Sequence, residues 1–121
     1  MVLRGGNGGP NYHANNIAEC ETALIKHNLS PKIMIDCSHA NSNKDHNRQT
    51  LVLKNVINQI TKGNKSIIGV MIESNIISGN QKISNNMIYG KSVTDACIDW
   101  NRTEDIIRQA ASEISKILLT R

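Results

Sequence analysis

The chain has 121 residues, with 14 Lys and Arg against 10 Asp and Glu for a formal net charge of +4, and its aromatic content is 2% with no Phe. At this length a single domain is expected, built on an aliphatic core. The basic residues stand singly, and Tyr12, Tyr89 and Trp100 are too few for a base-stacking platform, so a nucleic-acid partner is set aside for a mildly basic solvated surface that also suits phosphorylated metabolites.

Met1, Val2 and Leu3 open the chain as a strand that begins at or before the first residue, as expected of a piece of a larger fold. Arg4-Gly5-Gly6-Asn7-Gly8-Gly9-Pro10 follows, and its glycines permit positive φ and close backbone approach to a ligand. A dinucleotide fingerprint starting at Gly6 requires glycine at position 11, where Asn11 stands, and is rejected. Arg4, at the carboxyl end of the strand, can take a carboxylate or phosphate in a two-pronged way, the alternative being an exposed surface arginine. Ile17, Cys20 or Glu21, Leu24 and Ile25 predict a helix from about Asn15 to His27, ended by Asn28 and Ser30-Pro31.

Ile33-Met34-Ile35 is apolar without alternation, which suits a strand buried on both faces, as in parallel sheets. Asp36, Cys37, Ser38, His39 and Asn41 come directly after it, where open α/β sheets and (β/α) barrels place their sites. Val52, Leu53, Val56, Ile57 and Ile60 mark a second helix, roughly Arg48 to Lys62, closed by Gly63. Ser66 to Ser74 reads as a third buried strand that ends at the acid Glu73. This alternation predicts parallel βα units.

From Asn75 to Trp100 no helical stripe is found, and a loop of that length is a functional or disordered segment. Gly90-Lys91-Ser92 resembles the end of a phosphate-binding loop, but position 85 is Asn and no strand leads into it. The last helix is predicted with Asn101 as N-cap and Glu104 three residues on, and with Ile106, Ile107, Ala110, Ala111, Ile114, Ile117 and Leu118 as a core-facing stripe. Cys20, Cys37 and Cys97 are odd in number and lack metal-ribbon spacing, so they read as reduced thiols. With no secretory segment at the start and no apolar run beyond Ile67 to Ile72, a soluble cytoplasmic protein without a membrane partner is expected.

Three chemistry-bearing residues stand at corresponding places: His39 after the second strand, Glu73 after the third and Asp95 in the loop beyond. A parallel sheet brings all three to one rim. One imidazole and two carboxylates can hold a divalent transition metal, with Mn, Fe, Co and Zn all suitable, whereas by spacing alone the signal is weak and a lone histidine such as His39 is more often structural.

The blocks Leu3-Arg4-Gly5-Gly6, Met34 to Ser42, Ile68 to Ser74, Gly79-Asn80-Gln81 and Tyr89 to Trp100 resemble, in order, the C-terminal part of type I 3-deoxy-D-arabino-heptulosonate 7-phosphate synthase. The resemblance covers essentially the whole chain, and Tyr89-Gly90-Lys91-Ser92-Val93-Thr94-Asp95-Ala96-Cys97-Ile98 is its most specific block. It implies a metal-dependent (β/α)₈ TIM-barrel enzyme, homo-oligomeric at full length, that opens the shikimate pathway by condensing phosphoenolpyruvate with erythrose 4-phosphate. His39, Glu73 and Asp95 are then metal ligands and Arg4 binds phosphoenolpyruvate. The family's metal-binding cysteine, near the first barrel strand, matches none of Cys20, Cys37 and Cys97.

On this resemblance residues 1–121 are the last three βα units of an incomplete barrel, with a long loop, 74–101, before the C-terminal helix. The chain needs the remainder of the barrel for activity. The alternative is an inactive remnant that serves as a non-enzymatic interaction or metal-binding module.

Overall fold

Ile33 and Ile35 have no solvent exposure, and the sheet that buries them has three parallel strands. The computed structural model describes residues 1–120. In it β1 (Val2–Leu3), α1 (Ala14–Lys26), β2 (Ile33–Asp36), α2 (Gln49–Thr61) and β3 (Ile67–Met71) alternate along the chain. The strand order β1-β2-β3 is the sequence order. Each crossover helix sets down the next strand beside the last, so the sheet winds in one direction only.

The helices share one face. Ile17 and Leu24 of α1, and Val52, Leu53, Val56, Ile57 and Ile60 of α2, pack with Ile33, Ile35 and Ile67 into one aliphatic cluster. Each fully buried side chain of this size contributes about 1.5–3 kcal/mol of transfer free energy, and that offsets the missing aromatic bulk. The opposite face is bare. Val2 and Met34 are paired in register, and they are 55% and 38% exposed. The prediction of strands buried on both faces therefore holds for the helix side alone.

Two single turns of 3₁₀ helix, His39–Ser42 and His46–Arg48, join β2 to α2. The second is capped by Asp45, whose carboxylate accepts from the backbone N–H of Asn47. α2 ends at Thr61 with Lys62 as its C-cap, and Gly63 follows with φ of +101° and donates to Ile60 O.

Beyond β3, the stretch expected as a structureless loop carries two short parallel strands, β4 (Ile77–Asn80) and β5 (Lys91–Ser92). Gln81 closes the connection between them. Its amide donates to Ile88 O and Lys91 O, and its Oε1 accepts from Ile88 N. Bridges from Ser74 to Ile98 and from Gly79 to Cys97, with Ile98 buried in the core, fasten the returning limb.

α3 (Trp100–Leu118) starts earlier than predicted. Asp99, not Asn101, is the N-cap, and its carboxylate accepts from the backbone N–H of Arg102 at 2.8 Å. An acid at that position also meets the positive end of the helix dipole. Glu104 therefore has no capping role and pairs with Arg108 one turn on, at 2.6 Å. Only part of the predicted stripe is covered: Ile106 is buried and Ala110, Ile114 and Ile117 pack against the core, while Ile107 and Leu118 stay exposed. The physical reason is that α3 packs beside α2 while β3 is the edge strand of the sheet, so no further strand-helix unit covers its other side. Among the described residues no helix is long and apolar enough to cross a membrane.

Candidate metal centre

The carboxyl ends of β1 and β2 are tied together by Asn41, a buried amide. Its Nδ2 donates to Leu3 O and Asp36 O, and its Oδ1 accepts from the backbone N–H of Asn11. Asn11 in turn accepts from Gly5 N–H at 2.7 Å, which closes the glycine turn against the second strand. Gly5 has φ of +71°, and a Cβ there would lie 2.7 Å from Cβ of Ala40. This close approach sets Arg4 beside the 3₁₀ turn that carries His39.

Asp36, the last residue of β2, is 3% exposed. Its Oδ1 accepts from Ser38 N–H at 2.8 Å and its Oδ2 lies 2.7 Å from Nδ1 of His39. A carboxylate at Nδ1 assigns the proton to that nitrogen and leaves the lone pair of Nε2 facing outward, the orientation in which histidine binds metals. His39 holds this pose with φ of +48°.

Glu73 follows β3 and is fixed at both ends. Gln49, fully buried at the start of α2, donates to Glu73 O at 3.0 Å and accepts from Glu73 N–H at 2.8 Å. Ser38 Oγ donates to Oε2 at 2.6 Å, which leaves Oε1 at 3.6 Å from His39 Nε2. Asp95, 71% exposed on the limb after β5, brings Oδ2 to 3.8 Å from the same nitrogen.

His39, Glu73 and Asp95 each offer one ligand atom within 4.8 Å of the others, in a cleft of about 210 Å³ that Arg4, Ser38 and Lys44 also line. Distances of 3.6 and 3.8 Å are too long for hydrogen bonds. They approach the separation of about 3.4 Å expected between ligands that each sit about 2.1 Å from a tetrahedral ion. The donor set of imidazole and carboxylates suits a divalent cation of the Mn, Fe, Co or Zn type. Among the described residues no thiol joins the group. Cys37 is buried below it with its thiol pushed up to about 12 by desolvation and by the charge of Asp36, so it remains protonated.

The structure thus brings all four sequence-predicted residues to one cleft. Asp36, Ser38, Gln49 and Lys44 received no role from the sequence. The acid three residues before His39 was a usable signal for Asp36, whereas nothing local marks Gln49, which acts across the fold on Glu73.

A family model described as the DAHP synthetase I family matches residues 1–108. The Tyr-sensitive phospho-2-dehydro-3-deoxyheptonate aldolase of Enterobacter agglomerans is 48% identical over 124 residues, covering 100% of this chain and 58% of the relative. The corresponding Tyr-sensitive protein of Escherichia coli (strain K12) is 47% identical over 124 residues, covering 100% of this chain and 35% of the relative. The solved structure of phospho-2-dehydro-3-deoxyheptonate aldolase from Francisella tularensis SCHU S4 matches with a TM-score of 0.90 at 43% identity, over 94% of this chain and 33% of that one. The chain therefore spans 58% of the first of these relatives and about a third of the other two. The C-terminal placement expected from the ordered blocks does not follow from these matches. With a family match over 108 of 121 residues and relatives of 47–48% identity along its whole length, the chain belongs to the DAHP synthetase I family, a family of enzymes.

Proposed function

We propose that this chain is a sector of a 3-deoxy-D-arabino-heptulosonate 7-phosphate synthase, with His39, Glu73 and Asp95 as ligands of a divalent metal and Arg4 as a substrate-binding residue. The observation that carries the proposal is the convergence of three donor atoms within 4.8 Å at the carboxyl rim of a parallel sheet. Relatives named as phospho-2-dehydro-3-deoxyheptonate aldolases supply the reaction class.

In that reaction carbon 3 of phosphoenolpyruvate bonds to the aldehyde carbon of erythrose 4-phosphate, water adds at carbon 2 and phosphate leaves. A divalent ion in the cleft supplies Lewis acidity toward the aldehyde oxygen. Asp36 keeps the proton on Nδ1 of His39 so that Nε2 stays free to ligate. Ser38 occupies one oxygen of Glu73 and directs the other toward the centre. Arg4 offers a planar fork to the carboxylate or phosphate of phosphoenolpyruvate and so positions the anionic donor.

The fold belongs to the same proposal. Strands laid down in sequence order, helices on one face and a bare apolar opposite face are what a three-unit sector of a (β/α)₈ barrel presents, and the remaining units pair with the open edges of β1 and β3. On this reading the full-length enzyme is cytoplasmic and homo-oligomeric. The sector holds part of the metal site, and catalysis needs the rest of the barrel.

Mn²⁺ binding tests the centre. Electron paramagnetic resonance of free Mn²⁺, titrated with the 121-residue chain, should show binding that His39→Ala weakens by at least about a hundredfold. Equal affinity in the two proteins removes His39 from the centre. In a phosphate-release assay with both substrates and Mn²⁺, the chain alone is expected to show no turnover.

A further inference from the structure

We infer that Lys44 is a second anion-positioning residue of the cleft, set beside Arg4 to hold the phosphate monoester group of a substrate; this rests on the reading of the cleft as a site for phosphorylated substrates. Among the described residues four non-glycine positions have positive φ, and three of them, His39, Asn43 and Lys44, lie in one turn at the rim of the cleft. Asparagine and histidine visit this region with some ease, but lysine, with a long aliphatic side chain and no local hydrogen bond to offer, does not. Such conformations persist only where the surroundings over-determine them, and they gather at functional sites.

The surroundings here are backbone hydrogen bonds. Lys44 N–H donates to His39 O at 2.8 Å, Asn43 N–H to Ala40 O at 3.1 Å and Asp45 N–H to Ser42 O at 3.1 Å. The residue that offers Nε2 to the centre and the residue that carries the ammonium are thus joined directly, and Lys44 is turned into the lining of the cleft with Arg4, His39, Glu73 and Asp95.

Lys44 is not there to neutralise those carboxylates. The side-chain ion pairs among the described residues are those of His39 with Asp36, Glu73 and Asp95 and that of Arg108 with Glu104, and neither Lys44 nor Arg4 enters any of them. Arg4 and Lys44 are thus the two side-chain cations on the cleft wall, and no carboxylate holds either of them whether or not an ion sits between Glu73 and Asp95. That complement fits a phosphate dianion, with guanidinium supplying a fork and ammonium a compact point charge. The phosphate can belong to either substrate.

Isothermal titration of the 121-residue chain with inorganic phosphate, phosphoenolpyruvate and erythrose 4-phosphate, each without metal, tests the inference. Lys44→Ala should weaken inorganic phosphate by about tenfold or more, and Lys44→Arg should restore it to within about threefold. The substrate whose affinity falls in parallel identifies the source of the phosphate. Lys44→Gly relieves the backbone, so its thermal midpoint should not fall while its phosphate affinity falls as in Lys44→Ala. That pairing separates loss of the ammonium from loss of the fold. Unchanged phosphate affinity in Lys44→Ala, or no phosphate binding by the unsubstituted chain, overturns the inference. A parallel Mn²⁺ titration should give an affinity for Lys44→Ala no weaker than that of the unsubstituted chain, since the lost ammonium repels a cation in the same cleft. Failure of the unsubstituted chain to bind Mn²⁺ overturns the metal centre, while the metal-free phosphate titrations still decide for or against Lys44.

Discussion

Oδ2 of Asp36 lies 2.7 Å from Nδ1 of His39, and this contact decides which ring nitrogen faces the cleft. The carboxylate is buried at the end of β2 and its other oxygen is held by the N–H of Ser38, so it has no freedom to turn away. Asp36→Asn keeps the shape but can serve only one of the two donors through its single oxygen. Mn²⁺ affinity should drop about 10–100-fold with the fold intact, the usual cost of losing a partner behind a metal-binding histidine. Equal affinity measured by paramagnetic resonance would remove Asp36 from any orienting role.

Gln49 acts on Glu73 in a different way, through the backbone. Its amide satisfies both the C=O and the N–H of Glu73 from a fully buried position. Gln49→Leu fills similar space but leaves two backbone groups without their partner, each at a cost of about 1–3 kcal/mol. Chemical denaturation should show a loss of about 2–5 kcal/mol. Mn²⁺ binding should weaken as well, because Glu73 then loses its fixed direction. A loss of stability below 1 kcal/mol would show that the clamp is dispensable.

Gly5 and Gly8 make a matched pair for testing how the glycine turn supports Arg4. Gly5 has positive φ and a virtual Cβ 2.7 Å from Ala40, whereas a Cβ at Gly8 meets nothing within 4 Å. Gly5→Ala should destabilise by more than about 1 kcal/mol and push β1 away from the 3₁₀ turn, while Gly8→Ala should stay within about 0.5 kcal/mol. Similar melting curves for the two variants would contradict the packing described.

What the sequence discloses follows from range. The apolar runs at Ile33–Ile35 and Ile67–Ile72 and the stripe from Val52 to Ile60 are local patterns, and the sheet and α2 are where they indicate. His39, Glu73, Asp95 and Arg4 are likewise legible as residues that a parallel sheet carries to one rim, and the cleft gathers them. β4 and β5 are not legible, because neither has alternation and their limb is fastened by Gly79 to Cys97 and Ser74 to Ile98, contacts that no local window contains. The start of α3 was misplaced because Asp99 and Asn101 are both good N-caps, and only the position of the returning limb selects the first. The exposure of Ile107 and Leu118 was hidden for a similar reason: a stripe shows which face of a helix is apolar, and the neighbouring elements determine how much of that face is covered.

Cys20 and Cys37 should separate cleanly by reactivity. Cys37 has no exposure and its thiol is pushed up to about 12, first by burial and then by Asp36, whereas Cys20 on α1 is half-buried and only raised. A maleimide at pH 8 should label Cys20 first and leave Cys37 unlabelled until the chain unfolds. The same burial predicts a pH dependence. Below the ordinary thiol value of 9.0 both folded and unfolded chains keep the proton, so Cys37 adds no slope. Between 9.0 and about 12 the unfolded chain releases it and the folded chain does not, so stability falls as pH rises, by up to about 1.4 kcal/mol per pH unit. Cys37→Ala should lower stability at pH 7 through the lost packing yet flatten the decline above pH 9 relative to the unsubstituted chain. Parallel curves for the two proteins across that window, measured by urea unfolding, would show that Cys37 ionises as freely in the folded chain as in the unfolded one.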